Sequence, residues 1–293
     1  MLMHSKYQLS LQTAAFLFGA SALIAEQLAV GVVVIVFARC LFASLTLTAL
    51  VPFFRHQLLS PLSVNEMLKL SVSATLLALH WFSFFMGVKL GGLAIGTLGF
   101  ACFPAFVIVF EALFFKEKIT AHDGVIILLI GIGIWLITPN FDLSDESALG
   151  MLWGLGSGVI YSIMMLTNRY LVDGVNPMQS SWVQCLVITF LLLPFSFEGM
   201  LNITLEECLL LAVLGILCTG IAYTLFIYGV SGVKAKVAAT VIALEPIYAI
   251  LLAWIIFSEQ PSLVVLSGGF AIILAVVISS QRRVFKQEKT ASI

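Results

Sequence analysis

The chain has 293 residues, of which 61% are hydrophobic and only 10% are charged, and its formal net charge is −1. A soluble domain carries roughly 25% charged residues, so this composition argues against a water-soluble globular fold and predicts an all-α membrane protein. The absence of a basic excess also argues against a nucleic-acid partner. The cysteines stand singly in apolar runs and predict neither disulfides nor a metal site; they are Cys40, Cys102, Cys185, Cys208 and Cys218.

Ten apolar segments follow one another along the chain, and most are long enough for a membrane helix of ~20 residues. The first segment lacks the basic cluster and the cleavage site of a signal peptide, so we expect it to be retained as a span. Turn chemistry separates the segments, as at Gly91-Gly92 and at Pro261. The predicted spans lie near residues 8–25, 31–54, 69–88, 92–115, 122–139, 148–170, 177–197, 207–229, 236–257 and 262–281.

Positive charges set the predicted orientation. If the N-terminus is cytoplasmic, twelve of the fourteen lysines and arginines face the cytoplasm, Lys89 alone faces outward, and Arg39 lies within the second span. Both termini are therefore predicted to be cytoplasmic, in a bacterial-type inner membrane. The twelve inward charges are Lys6, Arg55, Lys69, Lys116, Lys118, Arg169, Lys234, Lys236, Arg282, Arg283, Lys286 and Lys289.

One passage of the chain recurs 142 residues later. Because five spans per repeat is an odd number, the second repeat must enter the membrane upside down relative to the first. We expect a first repeat over 1–139, an extracytoplasmic link over 140–147, a second repeat over 148–281 and a cytoplasmic tail over 282–293. Inverted repeats are typical of secondary transporters, whose substrate site lies where the repeats meet. The recurring pairs are Phe84/Phe226, Gly87/Gly229, Ala101/Ala243, Pro104/Pro246, Ile108/Ile250, Phe115/Phe257 and Glu117/Glu259.

Three segments resemble the drug/metabolite transporter superfamily, specifically its EamA-like family: FARCLFASLTL at 37–47, GTLGFACFPAFVIVFEALFFKEKIT at 96–120 and ATVIALEPIYAILLAWIIFSEQPS at 239–262. The resemblance implies ten helices in two inverted five-helix repeats, and transport of small organic metabolites without a cofactor. It also implies that the fourth and ninth helices carry a proline and end at a glutamate. The gating or structural positions that it implies are Arg39, Pro104, Glu117, Pro246 and Glu259.

Two carboxylates within the spans are candidates for substrate binding and ion coupling. Glu245 lies near the middle of the ninth span, where a carboxylate costs roughly 2.5–3.5 kcal/mol to insert and usually faces a cavity. It could bind a substrate amine or exchange a coupling proton, and the alternative is a protonated structural glutamate. Glu111 shares a helical face with Thr97 and Pro104, and departs from the family pattern, which is usually apolar there. Its alternative is snorkelling to the interface. For Arg39 the alternative to an anchor is binding of a substrate carboxylate.

Aromatic side chains occur at helical spacing and could stack on a ring or surround a cation. The alternative for each is an interfacial anchor or a lipid-facing ring. The glycines of two GxxxG stripes, opening the fourth and sixth spans, predict close helix packing; they are Gly92, Gly96, Gly150, Gly154 and Gly158. The candidate substrate-binding side chains besides the carboxylates are His80, Trp81, Phe84, Trp153, Tyr161, Tyr223 and Tyr248.

The sequence contains no P-loop, HExxH or G-x-S-x-G motif, so we expect neither ATP-driven pumping nor an enzyme. The leading hypothesis is an alternating-access exporter of amino acids or related amphiphilic or aromatic metabolites, with the proton as candidate coupling ion. A second hypothesis is an uptake permease for a quaternary amine such as choline. A third is a non-transporting assembly factor or an intramembrane enzyme. The expected partners are a small-molecule metabolite and the lipid bilayer, and the sequence leaves monomer and homodimer open.

Overall fold

The computed structural model describes residues 2–137, 144–172, 174–233, 235–258 and 260–290, and these are helical without a β-strand. A π-helical turn, Ile216–Ile221, joins two of the helices. The α-helices are α1 Leu2–Gln27, α2 Val32–Ala49, α3 Arg55–Leu58, α4 Val64–Phe100, α5 Phe103–Phe115, α6 Ala121–Ile137, α7 Glu146–Tyr170, α8 Pro177–Leu201, α9 Leu205–Gly215, α10 Ala222–Gly232, α11 Ala235–Ile242, α12 Glu245–Phe257 and α13 Leu263–Thr290.

Within the part of the chain that the structure describes, six helical stretches are long and apolar enough to cross a bilayer. Four shorter apolar helices accompany them: α5, α6, α12 and the segment Leu263–Ala275 of α13. The predicted class, an all-helical membrane protein, is confirmed. The six long stretches are Lys6–Gln27, Val32–Ala49, Val64–Phe100, Glu146–Tyr170, Pro177–Leu201 and Leu205–Gly232.

Helix α4 reverses its direction at Gly92, whose φ of 77° and ψ of 166° interrupt the helix. A side chain rarely adopts such a φ, whereas glycine does so at little cost. The reversal brings Gly96 against the backbone of Gly87, where an added Cβ would lie only 2.6 Å from the carbonyl carbon. In a straight helix these two residues would be more than two turns apart. Gly92 therefore forms a turn instead of the predicted packing contact, and nothing lies within 4 Å of a Cβ added there.

The chain breaks in the same way before the two recurring prolines. The Cys102 N–H donates to the Gly99 carbonyl at 3.3 Å before α5, and the Leu244 N–H donates to the Val241 carbonyl at 3.2 Å before α12. Each proline then occupies the first turn of a 13-residue helix, where its missing N–H costs little. The family resemblance implied that Pro104 and Pro246 lie within the fourth and ninth helices. The structure shows instead that a turn precedes each of them, because proline cannot donate to the preceding helix.

Glycines bring α4 and α7 into close contact. A Cβ added at Gly87 would lie 3.0 Å from the Gly150 carbonyl oxygen, and one at Gly158 would lie 3.1 Å from the Phe100 carbonyl oxygen. The predicted packing role of the Gly150 and Gly158 stripe is therefore seen in the structure. The contact joins the first half of the chain to the second, and the helices that build the central cavity lie beside it.

Candidate functional site

A small cavity lies in the main apolar core, between helices of both halves of the chain. Its volume is ≈ 20 Å³, on a scale where one water needs about 10–15 Å³. The cavity is therefore closed around a space that is too small for an organic molecule of several atoms. The lining residues are Phe18 and Ser21 of α1, Arg39 of α2, Leu77, His80, Trp81 and Phe84 of α4, Tyr161 of α7, Tyr223 of α10 and Glu245 of α12.

Glu245 reaches the cavity because the break before Pro246 makes it the first residue of α12. The N-terminal end of a helix dipole favours a negative charge at this position. Only 4% of the residue is exposed, and among the described residues its carboxyl oxygens have no hydrogen-bond partner. The hydroxyl of Tyr161 is buried beside the cavity and also has no hydrogen-bond partner within the described part of the chain. A buried carboxyl without a partner is costly, so this wall of the cavity is suited to bind a cation or a proton.

Arg39 is 1% exposed and is fixed on two sides. Its Nε donates to the Thr219 hydroxyl at 2.9 Å, and its Nη2 donates to the Cys218 carbonyl at 3.3 Å. The guanidinium carbon lies 3.9 Å from the centroid of the Trp81 ring, a cation–π contact. Arg39 and Glu245 line the same cavity without forming a salt bridge. The cavity thus holds a guanidinium and a carboxyl group that are not paired with each other.

His80 stands between α4 and α7. Its Nδ1 lies 2.8 Å from the Ser157 hydroxyl and 3.3 Å from the Ser157 carbonyl oxygen, which orients the ring. The imidazole packs on Tyr161, with ring centroids 4.8 Å apart, and on Phe100 at 5.2 Å. These contacts place His80 in an aromatic wall of the cavity, together with Phe84.

A buried hydrogen-bond network adjoins the cavity through Tyr223. The Tyr223 hydroxyl donates to Gln184 Oε1 at 2.7 Å and accepts from Asn168 Nδ2 at 3.1 Å. The Ser73 hydroxyl donates to Asn168 Oδ1 at 2.8 Å, and Gln184 Nε2 donates to the Ser180 hydroxyl at 2.9 Å. These amides were not among the predicted site residues. Polar uncharged residues inside apolar spans were the available signal, because buried amides in a membrane need partners.

A second set of hydrogen bonds lies near the Gly92 turn. The Lys89 ammonium donates to the carbonyl oxygen of Glu26, in the last turn of α1, and to that of Leu28, in the link between α1 and α2. The Glu26 carboxylate accepts from the Leu93 N–H at 3.0 Å, just after the turn. Lys89 and Glu26 therefore tie the α1–α2 link to the reversal in α4.

Several residues that the sequence analysis named lie away from the cavity. Glu111 is buried and accepts a hydrogen bond from the Tyr170 hydroxyl at 3.2 Å. Trp153 is exposed and packs edge-on against Phe82. Tyr248 is half-buried and donates to Gln12 at 2.9 Å.

The remaining predicted gating positions do not line the cavity or lie outside the described residues. Pro104 and Pro246 are buried in their first turns, and Glu117 is exposed just beyond α5. Glu259 lies outside the described residues. Within the described part of the chain, no group of three or more His, Cys, Asp or Glu side chains is placed to hold a metal ion.

The sequence model of the EamA-like transporter family matches this chain twice, over residues 6–138 and over residues 148–281. The chain belongs to the EamA-like transporter family. This EamA-like chain is 22% identical to the uncharacterized transporter YxxF of Bacillus subtilis (strain 168), over 88% of this chain and 84% of that protein. It is 25% identical to the uncharacterized transporter YwfM of the same organism, over 65% of this chain and 66% of that protein.

One crystal structure shares the fold of this EamA-like protein with a TM-score of 0.71. It covers 96% of this chain and 99% of the other chain, at 19% sequence identity. The family resemblance stated from the sequence is confirmed, and the chain is a multi-pass membrane transporter. Membership of a transporter family implies that it moves small molecules.

Proposed function

We propose that this EamA-like protein is a secondary transporter that moves a small amphiphilic metabolite with an amino group, by alternating access around the central cavity. The observation that carries the proposal is the Glu245 carboxyl, which faces the cavity without a hydrogen-bond partner among the described residues. A substrate ammonium would supply that partner, and a proton would supply it when the substrate has left. Proton exchange at Glu245 is therefore the coupling step of this proposal.

The proposed topology has ten spans in two inverted repeats, over 1–139 and 148–281, with the link 140–147 outside and both termini in the cytoplasm of the inner membrane. Three observations support it. The family model matches the two halves separately, the chain breaks alike before Pro104 and Pro246, and α4 reverses at Gly92. The reversal divides the longest helix into two antiparallel segments, and α11 with α12 forms the counterpart of the second segment with α5.

Export of amino acids or related aromatic metabolites is the preferred substrate hypothesis. Five Phe, Trp and Tyr rings line the cavity, and they suit an apolar or aromatic body; they are Phe18, Trp81, Phe84, Tyr161 and Tyr223. Uptake of a quaternary amine is less well supported. The Trp81 ring already carries the Arg39 guanidinium at 3.9 Å, which would repel a second cation.

The proposal is tested by flux of amino acids and amines in proteoliposomes, with and without an imposed proton gradient. Glu245→Gln keeps the shape of the side chain and removes its titration. We expect flux to fall by about tenfold or more, because losing one partner of a buried charge pair costs roughly 2 kcal/mol or more. The residual flux should depend less on pH than that of the wild-type protein.

The matched control is Glu111→Gln. Glu111 is equally buried in a membrane helix but lies outside the cavity, so its variant should keep most of the flux and the wild-type pH profile. Wild-type flux and an unchanged pH profile in Glu245→Gln would leave Glu245 as a structural residue and refute the proposed function of the cavity.

A further inference from the structure

The Arg39 guanidinium is held by one edge only. Its Nε and one N–H of Nη2 are bound to Thr219 and Cys218, respectively. Nη1 has no hydrogen-bond partner among the described residues and is not sealed in protein, since Arg39 lines the cavity. A guanidinium has five N–H donors in a rigid fork. The unused donors of Nη1 and Nη2 therefore form a complete edge, which has the spacing of a carboxylate.

The bound edge is fixed by the π-helical turn Ile216–Ile221. Within this turn the Thr219 hydroxyl donates to the Leu214 carbonyl at 2.9 Å while it accepts from Arg39. Helix α2 approaches so closely that a Cβ added at Gly215 would lie 2.8 Å from the Arg39 carbonyl oxygen. A π-helical turn is rare and occurs often at functional sites, because it frees or redirects backbone groups. Here it presents the Cys218 carbonyl and the Thr219 hydroxyl side by side.

The charge on Arg39 has no carboxylate partner within the part of the chain that the structure describes. The face of the guanidinium is covered by Trp81 at 3.9 Å, with Phe85 at 5.2 Å. A buried cation without an anion is costly, and the contacts with neutral groups offset only part of that cost. An anion that enters the cavity would therefore find a preformed, desolvated partner.

We propose that the unused edge of Arg39 is a carboxylate-binding subsite and that Thr219 is its positioning residue. This inference rests on the proposed function. Because Glu245 lines the same cavity and repels a second negative charge, the anion is a single carboxylate rather than a phosphate. With its ammonium at Glu245 and its carboxylate at Arg39, the substrate is a zwitterion whose apolar part contacts the aromatic rings.

Trp81 supplies a direct readout, because its ring lies on the Arg39 guanidinium. The experiment uses the full chain with Trp81 retained and the other four of its five tryptophans replaced by phenylalanine. Three probes that share a phenyl ring on a two-carbon chain are titrated. They are L-phenylalanine, 3-phenylpropanoate, which lacks the amine, and 2-phenylethylamine, which lacks the carboxylate. We expect both carboxylate probes to change the Trp81 emission saturably and 2-phenylethylamine to leave it unchanged.

Two variants test the role of Thr219. Thr219→Val keeps the shape but cannot accept from Arg39, and we expect it to weaken the response to the carboxylate probes by about tenfold or more. Thr219→Ser restores the hydroxyl and should restore the affinity. A variant that had merely lost packing would not be rescued in this way, since serine is the smaller side chain.

The outcomes separate this inference from the proposed function. A response to 2-phenylethylamine at the same midpoint as the carboxylate probes would overturn the carboxylate subsite, and unchanged affinity in Thr219→Val would overturn the positioning role. If no probe changes the emission while proteoliposomes still carry amines in a Glu245-dependent way, the inference fails and the proposed function stands. If the wild-type protein and Glu245→Gln carry amines and amino acids at the same rate, the proposed function itself is refuted.

Discussion

At Gly154, α7 lies in close contact with the part of α4 that follows the Gly92 turn. A Cβ added there would lie 2.7 Å from the Gly96 carbonyl oxygen and 3.1 Å from the Gly99 Cα. Both neighbours are backbone atoms, which cannot rotate away as a flexible side chain would. Gly156, two residues along the same helix, has nothing within 4 Å of an added Cβ.

This difference gives a prediction with a built-in control. Gly154→Ala should destabilise the protein by about 1–3 kcal/mol, because an added methyl group forces the backbones apart. Gly156→Ala should be neutral or slightly stabilising, since alanine is the better helix former. The measurement is the thermal unfolding midpoint of each variant in the same detergent. Equal midpoints for the two variants would show that the α4–α7 contact is looser than the structure indicates.

Much of the cavity lining was accessible from the sequence at the level of single residues. Arg39, His80 and Glu245 stand out because polar groups inside apolar spans are costly and tend to face cavities. Ser21 was not predicted, because a serine hydroxyl in a membrane helix can donate to a backbone carbonyl of its own helix and so does not by itself indicate a cavity. Trp153 was predicted as a substrate-binding residue, yet it is exposed and does not line the cavity, because helical spacing alone does not tell which face of a helix meets lipid.

The partner of Arg39 could not be predicted for a different reason. The Cys218 carbonyl is a backbone group, and its availability depends on the π-helical turn, which no residue pattern in this segment indicates. An anchoring role for Arg39 was predicted, but its partners were not located. Long-range contacts of this kind, 179 residues apart in the chain, need the three-dimensional fold.

Among the elements, the paired breaks before α5 and α12 are the clearest trace of the duplication. Their hydrogen bonds recur, as in Ala105 N–H to Cys102 and Ile247 N–H to Leu244, both at 3.0 Å. In the second copy, the break delivers Glu245 to the cavity. These turns have the position and the missing hydrogen bonds that hinges require.

We therefore expect Pro104→Ala and Pro246→Ala to slow transport more than they reduce expression. Alanine restores an N–H donor and favours a continuous helix across the turn. The control is Pro194→Ala, because Pro194 lies inside α8 on an exposed face, away from the cavity. Initial flux rates in proteoliposomes, normalised to folded protein, provide the measurement. Wild-type rates in both hinge variants would make the breaks packing features only.

The sequence also predicted element types better than element boundaries. The Gly91-Gly92 pair was correctly interpreted as the boundary between two spans, and the positive φ of Gly92 supplies the physical reason. The apolar run after Gly92 reads as one span in the sequence, yet the structure divides it between the end of α4 and α5. Hydrophobicity does not register such a break, because the turn residues Ala101 and Cys102 are themselves apolar and buried.

At the scale of the whole molecule, two sets of polar contacts join helices of the bundle. Lys89 and Glu26 join the α1–α2 link to the Gly92 turn, and the Tyr223–Gln184 network joins α8 to α10. The proposed topology places the first set toward the outside and the second toward the cytoplasm. Each set links helices that are far apart in the chain. In alternating access, one set of hydrogen bonds must break while the other stays formed. Both sets can do so, because neither includes a covalent bond.

The most direct test of this account is the accessibility of the cavity from each side of the membrane. Ser21→Cys places a thiol in the cavity wall, and Ser162→Cys, at a buried site outside the cavity, is the control. A membrane-impermeant thiol reagent is applied to right-side-out and to inside-out vesicles. We predict that position 21 is labelled from both sides and position 162 from neither. Labelling of position 21 from one side only, or from neither, would contradict alternating access around the Arg39 and Glu245 cavity.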